Sequence, residues 1–346
     1  MRKTIILFLS IFLLPFCKKE NYPQPQAQYK SNINNTKPVP TSNPIPTSNP
    51  IPNFNNTGQS YVSISPIFLI GINNIIINGD SINCNNTSIV GIFLINCNNI
   101  RITNNRILNS KGDGIYMYGC TNITITNNFI TNVLAGTNAI QSSAIIVKYN
   151  QMQNMTGPKP AGQFIQFNNV SGAGDTIAYN KLENIYGTSN PEDAISMYQS
   201  NGTAASPIII STNYIRGGGP SKTGGGINLG DSGGSYQIAE NNTLVNPGQY
   251  GIAVSGGTNM QILNNQIFAE QNTFTNVGIY IYNQFATNCS LIIVSGNQVN
   301  WTNSAGFSNP DWTDGSCGII TGWNNNIFGD PSITAFILPN VIITDQ

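Results

Sequence analysis

The sequence predicts an all-β solenoid, a single chain wound into about nine coils with three short strands per coil. One observation is the phrase I-x-I-x-x-N-x-I, which occurs at Ile100–Ile107 and again 23 residues later at Ile123–Ile130. A period of this length indicates a repeat architecture. The second observation is that alternation of period two is frequent, whereas helical periodicity is absent. The corner residues of nine copies are Asp80, Asn105, Asn128, Asn150, Asn180, Asn213, Asn242, Asn265 and Asn297.

Each copy of the phrase predicts two strands joined at a corner, with alternate residues facing inward. A third strand is expected between copies, usually entered through Gly or a small residue; these strands begin at Ile92, Ile115, Ile165, Ile195, Ile227, Ile252 and Ile279. A unit of 23 residues cannot bury its apolar face alone, so the coils must stack in parallel register at about 4.8 Å. Parallel crossovers are right-handed. We expect the corner Asn to adopt the left-handed conformation and its amide to bond the next coil.

This pattern resembles the right-handed parallel β-helix family, the pectin-lyase-like superfold, over residues 60–330. The resemblance implies a single-stranded right-handed parallel β-helix. It also implies that a substrate would lie along one strand stack, walled by long loops. It does not select one activity, because the superfold hosts many.

The N-terminus is predicted to be an export signal. Arg2 and Lys3 precede a 13-residue apolar run, Thr4–Phe16, which is too short to span a bilayer as a stable anchor. Cys17 follows at once, as in bacterial lipoprotein signals, which this segment resembles; the resemblance implies lipidation of Cys17 and a lipid-anchored protein of the bacterial envelope. Pro15 and Phe16 depart from the small residues usual before that Cys, so an ordinary secretory signal is the alternative.

The remaining boundaries follow from composition. Residues 18–59 are rich in Pro, Asn, Ser and Thr and are predicted to be a disordered tether. The β-helix is predicted over 60–300, and a C-terminal coil and cap over 301–346, where the phrase is lost.

Composition removes several function classes. Only 8% of residues are charged, the net charge is zero and there is no His. His-based triads and His metal sites are therefore excluded, and nothing predicts a nucleic-acid partner, which would require a basic stripe. We expect a monomer.

The cysteines offer two possible pairs. Cys97 and Cys120 lie at equivalent positions of adjacent coils, where they form either a disulfide or a ladder of free thiols. Cys289 and Cys317 are the second possible pair. No metal site is predicted on them, because neither C-x-x-C nor His accompanies them.

A candidate sugar-binding surface lies on the outward positions of the third-strand stack. Aromatic faces would pack on sugar rings and amides would bond hydroxyls; the alternative is the ordinary preference of Tyr for solvent-facing strands. The candidate substrate-binding residues are Tyr116, Tyr118, Tyr198, Asn228, Tyr280 and Tyr282.

The candidate catalytic residues are Asp193, Lys222 and Asp231, which lie in or beside the longest insertions. The Gly-His-Gly motif of polygalacturonases and the Asp-Pro-His motif of alginate epimerases are missing. Polysaccharide lyases of the superfold use Lys or Arg as base with acidic calcium ligands; this resemblance implies Lys222, Lys148 or Lys111 as base, Tyr198 or Tyr280 as acid, and the two carboxylates near calcium or substrate. Loop structure or ligand contact is the alternative role.

Two functions remain open at this stage. The first is an envelope-anchored protein that binds a polysaccharide along the Tyr-lined face, with or without cleaving it by β-elimination. The second is a non-catalytic surface-binding, adhesion or structural lipoprotein. In both, the membrane contact is the N-terminal lipid.

Overall fold

The computed structural model describes residues 60–344, which form three parallel sheets wound as one solenoid. Sheet A contains β1 (Val62–Ile64), β4 (Asp80–Thr87), β7 (Arg106–Ser110), β10 (Phe129–Val133), β13 (Gln151–Met155), β16 (Lys181–Glu183), β19 (Tyr214–Arg216), β22 (Thr243–Val245), β25 (Gln266–Ala269), β29 (Gln298–Trp301) and β32 (Ile327–Phe328). Sheet B contains β2 (Ile67–Ile70), β5 (Ile92–Ile95), β8 (Ile115–Tyr118), β11 (Thr137–Ile140), β14 (Ile165–Asn168), β17 (Ile195–Tyr198), β20 (Ile227–Asp231), β23 (Tyr250–Val254), β26 (Val277–Ile281) and β30 (Asp311–Thr313). Sheet C contains β3 (Asn73–Asn78), β6 (Asn98–Thr103), β9 (Thr121–Thr126), β12 (Ser143–Lys148), β15 (Thr176–Ala178), β18 (Ile208–Ser211), β21 (Ser235–Glu240), β24 (Gly257–Leu263), β28 (Ile292–Ser295) and β31 (Ile320–Thr321), with β27 (Cys289–Ser290) beside β24.

The predicted parallel β-helix with three strands per coil is confirmed. Each coil runs through sheets B, C and A in that order, and the repeated phrase supplies the C and A strands around its corner. Ile100 pairs with Ile75 on one side and Ile123 on the other, as the 23-residue and 25-residue intervals require. Sheet B is the predicted third-strand stack. Three of its strands, β2, β11 and β30, were not among those predicted. Strand β11, Thr137–Ile140, was missed because the sequence TNAI lacks the Ile-x-Ile signal.

The core is a column of aliphatic side chains that face inward from all three sheets. Ile82, Ile92 and Ile100, for example, are completely buried and belong to a single cluster that continues to Trp301. Stacking therefore buries what one coil could not, and this burial is the main favourable term in the stability of the rod.

A ladder of buried amides runs along the corner between sheets C and A. Asn105 Nδ2 donates to Asn128 Oδ1 at 3.0 Å, and Asn128 Nδ2 donates to Asn150 Oδ1 at 3.0 Å. The same Oδ1 atoms also accept from the peptide N–H of the preceding rung. The ladder continues through Asn180, Asn213, Asn242, Asn265, Asn297 and Asn326. It confirms the predicted amide stacking and extends one rung past the last copy found in the sequence.

The predicted backbone conformation of the corner Asn was wrong. The left-handed residue is the one before it: Asn104, Tyr179 and Thr212 have φ of 56°, 58° and 54°. This division of roles has a physical reason. The left-handed residue turns the chain, which leaves the next side chain pointing inward, where its amide can reach both neighbouring coils.

The C-terminal segment does more than close the end of the rod. After a 3-10 turn at Trp323–Asn325 and the strand β32, a second 3-10 turn at Ala335–Ile337 leads into residues that return along sheet A. Leu338 and Ile342 pack with Phe129 and Tyr214 in a separate apolar cluster on the outer side of that sheet. The Ile342 N–H donates to Glu183 Oε1 at 3.3 Å.

The predicted signal, Cys17 and the tether at 18–59 lie outside the described residues. Within residues 60–344, no helix is long and apolar enough to cross a membrane. Cys289 and Cys317 form a disulfide with Cα atoms 4.7 Å apart. Cys97 and Cys120 are free buried thiols, the second of the two alternatives, and the Cys97 N–H lies 3.4 Å from Cys120 Sγ.

Candidate functional site

The candidate substrate-binding residues lie together on the outer face of sheet B. Tyr116, Asn228 and Tyr280 belong to one column of residues in register along the rod, and Tyr118 and Tyr198 belong to the next. The first column reads Phe68, Phe93, Tyr116, Asn138, Gln166, Ser196, Asn228, Ala253, Tyr280 and Trp312. Tyr282 lies just past β26, against Trp312, with ring centroids 5.9 Å apart.

Aromatic rings occupy the two ends of this face. At the N-terminal end, Phe68, Phe93 and Tyr116 stack with centroid distances of 5.8 and 5.1 Å. Sequence reasoning passed over Phe68 and Phe93, although Phe93 stands at the same third-strand position as Tyr116. Rings at this spacing offer a continuous apolar strip along the rod.

The middle of the face holds a buried polar network around Asp193. The Asp193 carboxylate, which is completely buried, accepts from the Gly225 N–H at 3.1 Å, from Asn228 Nδ2 at 3.4 Å and from the Tyr250 hydroxyl. Tyr250 reaches Asp193 from two coils away, because Gly225 on the intervening coil has no side chain. A Cβ there would lie 2.6 Å from Tyr250 Cδ1.

Asp231 belongs to the same network through the neighbouring strand. Its Oδ2 accepts from Ser196 Oγ at 3.1 Å, and only 2% of the residue is exposed. Ser196 and Asn228 are register partners on β17 and β20, so the two carboxylates bind side chains on adjacent parallel strands about 4.8 Å apart. The structure therefore brings Asp193 and Asp231 into one hydrogen-bonded network, an arrangement that the sequence could not establish.

The network continues towards the C-terminal aromatic end. Ser255 Oγ donates to Asn228 Oδ1 at 2.8 Å and lies 3.2 Å from the Tyr280 hydroxyl. Sequence reasoning missed Tyr250 and Ser255. A signal for Tyr250 was present, because it stands two residues before a third-strand Ile, the same edge position as Asp193.

Electrostatics keep the Tyr250 hydroxyl protonated. Burial raises its pKa well above the usual value, and the carboxylate of Asp193, the phenol of Tyr280 and the charge of Asp231 raise it further. Farther along the same edge, burial raises the pKa of Asp113 to about 6, partly offset by the 3.1 Å hydrogen bond from Asn138 Nδ2.

Lys222 lies at the surface, whereas the two carboxylates are buried. It is exposed on the loop 217–226, and its neighbours Ser221 and Thr223 fasten that loop by donating to the Glu192 carboxylate at 2.5 and 2.7 Å. The loop thus borders the network, with Lys222 on its solvent side.

Side chains that commonly bind metals do not cluster in the described part of the chain. Among residues 60–344, no three His, Cys, Asp or Glu side chains converge as metal ligands. The Asp193 carboxylate is also engaged by three hydrogen-bond donors. Calcium stays an expectation from the sequence.

Comparisons with known proteins agree on the fold. A family model described as a right-handed β-helix region matches residues 67–171. Among solved structures, a double mutant of the periplasmic alginate epimerase AlgG superposes with a TM-score of 0.52 at 16% identity, over 78% of this chain and 73% of that one. No curated protein matches the chain. The likeness confirms a right-handed parallel β-helix and, at this identity, the fold alone.

Proposed function

We propose that the protein is exported and binds a polysaccharide that lies along the outer face of sheet B. The observation that carries this proposal is the column of register partners on that face, with aromatic rings at both ends and the half-buried amides of Asn138 and Gln166 between them; Asn228 of the same column is buried. The sequence signal for export and the fold shared with a periplasmic polysaccharide-modifying enzyme support it. Lipidation of Cys17 would anchor the protein to the bacterial envelope. We propose that it acts there as a monomer.

The geometry of the face suits a chain of sugars. Successive coils present the same position about every 4.8 Å, so a polymer lying along the coils from Phe68 to Gln166 meets ring faces and amides repeatedly. The same column is buried farther along the rod, from Ser196 to Tyr280. Tyr116, Tyr118 and Tyr198 are partly exposed and can contact such a chain in the structure as it stands. Aromatic rings contribute apolar area at low entropic cost, and neighbouring amides contribute directional bonds.

Binding is better supported than turnover, because Asp193 and Asp231 are buried. Asp193 is completely buried, and its three donors fix the start of β17 to Gly225 and Tyr250. These hydrogen bonds give the Asp193 carboxylate a structural role. Polysaccharide binding without catalysis is therefore the simplest function for the protein.

Cleavage by β-elimination is the second candidate. It is favoured by one observation, the convergence of two carboxylates on the middle of the face beneath the loop that carries Lys222. In this mechanism Lys222 would take a proton from the sugar ring and Tyr198 or Tyr280 would protonate the leaving oxygen, and the loop 217–226 would have to move to admit the substrate.

The test is retention of the full chain on immobilised neutral and uronate polysaccharides. We expect at least one to retain the protein, and expect Tyr116→Ala combined with Tyr118→Ala to weaken retention by about tenfold for two lost ring contacts. Tyr149→Asn is the matched control, because Tyr149 is exposed at the corner between sheets C and A. Retention by no polysaccharide, or equal loss in the control, would refute sheet B as the binding face.

Turnover is assayed on the same polymers. An unsaturated product that absorbs in the ultraviolet, abolished by Lys222→Ala, would establish the lyase. Retention without any product or new reducing end would establish the binding protein.

A further inference from the structure

A second concave site lies away from the sheet B face, where strands of sheet A end. It is a cavity of about 360 Å³ formed by residues that follow β16, β19, β22 and β25, with Asn340 of the returning C-terminal segment at its edge. Its volume is in the range of small-ligand pockets. The insertions that shape it are those that lead on to Asp193, Gly225 and Tyr250.

One wall of the cavity is aromatic. Phe274 is almost buried, whereas Tyr186 beside it is 63% exposed; their ring centroids are 6.1 Å apart at an interplanar angle of 30°. The Phe274 ring lies directly on Gly219, where any side chain would collide with it. A glycine is thus required for the ring to line the cavity.

Another part of the lining is polar and held in place by its own hydrogen bonds. Asn246 Nδ2 donates to Glu270 Oε1 at 3.1 Å, and the Glu270 N–H donates back to Asn246 Oδ1 at 3.0 Å. The Arg216 guanidinium donates to the Ala335 carbonyl at 3.5 Å and to Asn340 Oδ1 at 3.3 Å, which ties the C-terminal segment to the rim. The wall is therefore organised before any ligand arrives, which lowers the entropic cost of binding.

We propose that this cavity binds one neutral sugar unit, stacked on Tyr186 and hydrogen-bonded to the amides and carboxylate of the rim. The proposal rests on the proposed function in one respect: the unit would belong to, or branch from, the polysaccharide held on sheet B. An exposed ring beside fixed polar groups matches the two kinds of surface that a sugar presents.

The charge of the lining selects against an acidic sugar. Glu183 and Glu270 contribute two carboxylates, whereas Arg216 contributes one cation, two of whose N–H groups hold the C-terminal segment. A uronate would add a third negative charge to this space, so neutral hexoses or N-acetylhexosamines fit better.

The test uses ligand-observed NMR and calorimetry on the full chain, with neutral oligosaccharides (of glucose, mannose, galactose and N-acetylglucosamine) and uronate oligosaccharides as probes. We expect a neutral oligosaccharide to bind, and Tyr186→Ala to weaken that binding about fivefold to tenfold through loss of the stacked ring. Tyr149→Asn should leave it unchanged. Glu270→Gln should narrow the preference for neutral over uronate probes, because it removes one carboxylate and keeps the shape.

These experiments distinguish a failure of the cavity proposal from a failure of the sheet B proposal. If no neutral probe binds, if Tyr186→Ala has no effect, or if uronates bind the cavity more tightly, the sugar subsite is refuted even when polysaccharide retention persists. If Tyr186-dependent oligosaccharide binding is found while Tyr116→Ala with Tyr118→Ala leaves polysaccharide retention intact, sheet B is refuted and the cavity stands. Circular dichroism of each variant shows that the β-helix is intact.

Discussion

The buried amide ladder should contribute several kcal/mol to the stability of the rod, and a substitution at Asn180 in its middle tests this. Asn180 is completely buried. Its Oδ1 accepts from the Asn150 N–H and Nδ2, both at 3.0 Å, while its Nδ2 donates to the Val147 carbonyl and Asn213 Oδ1, both at 2.9 Å. Asn180→Ala removes these bonds together.

The expected loss of stability depends on which hydrogen bonds the partners of Asn180 keep in the variant. Asn150 Nδ2 retains the Ile125 carbonyl at 2.9 Å, and Asn213 Oδ1 retains the Asn180 N–H at 3.1 Å. The Asn150 N–H, in contrast, loses its side-chain acceptor in a dry interior. At roughly 0.5–1.5 kcal/mol for each of the other three lost bonds and 1–3 kcal/mol for the stranded buried donor, the free energy of unfolding should fall by about 3–7 kcal/mol.

Urea denaturation followed by circular dichroism measures this difference. Asn78→Ala is the matched control, because Asn78 is exposed and accepts one side-chain bond, from Asn104 Nδ2 at 2.9 Å. It should cost well under about 1 kcal/mol. If Asn180→Ala costs no more than this control, the ladder does not stabilise the rod and the reasoning fails.

Three further predictions concern stability. Thr212→Gly should raise the free energy of unfolding by about 1 kcal/mol, because a β-branched residue is strained at φ 54°; thermal melting at an unchanged or lower midpoint would contradict this. Asp113, with its pKa raised from 3.8 to about 6 by burial, should make the protein less stable as pH rises from about 4 to 6, since the unfolded chain ionises first. Asp113→Asn should remove on the order of 3 kcal/mol of the stability that the wild type loses as pH rises. If the free energy of unfolding has the same pH dependence in variant and wild type, Asp113 does not cause that loss. Cys289→Ser with Cys317→Ser should destabilise by about 3 kcal/mol, because the disulfide closes a loop over a separation of 28 residues; chemical denaturation of the oxidised and doubly substituted proteins should differ accordingly, and coincident curves would refute it.

Much of the fold could be read from the sequence because a solenoid is locally determined. The spacing of Ile100, Asn105 and Ile107 fixes a strand, a corner and a strand, and their repetition fixes the register of stacking. Two kinds of feature were not predicted correctly: the residue that turns the chain at each corner, and a strand of sheet B with little apolar sequence. The left-handed residue lies one place earlier than expected, because the chain must turn before the Asn can point inward. Strand β11 escaped notice because Thr137 and Ala139 carry no strong apolar signal, and the neighbouring coils place them.

The candidate site was only partly readable. The tyrosines of sheet B were found because every third strand puts the same residue position on the same face. The hydrogen bond from Tyr250 to Asp193 was not found, because it joins residues that are 57 positions apart in the chain. It crosses an intervening coil where Gly225, which has no side chain, leaves room for the Tyr250 ring. Lys222 was grouped with the carboxylates because all three lie in or beside long insertions, and only the folded loop shows it on the solvent side.

The sequence alone determined that this chain stacks coils, which residues face the interior, and which face repeats its tyrosines, because side-chain alternation and coil period are local properties that each repeat carries in full. The tertiary structure alone decided which insertions meet, which cysteines bond, that the C-terminal segment returns over sheet A, and that Asp193 and Asp231 are buried. Those outcomes depend on loops of unequal length and on contacts between residues distant in the chain, for which no periodicity exists.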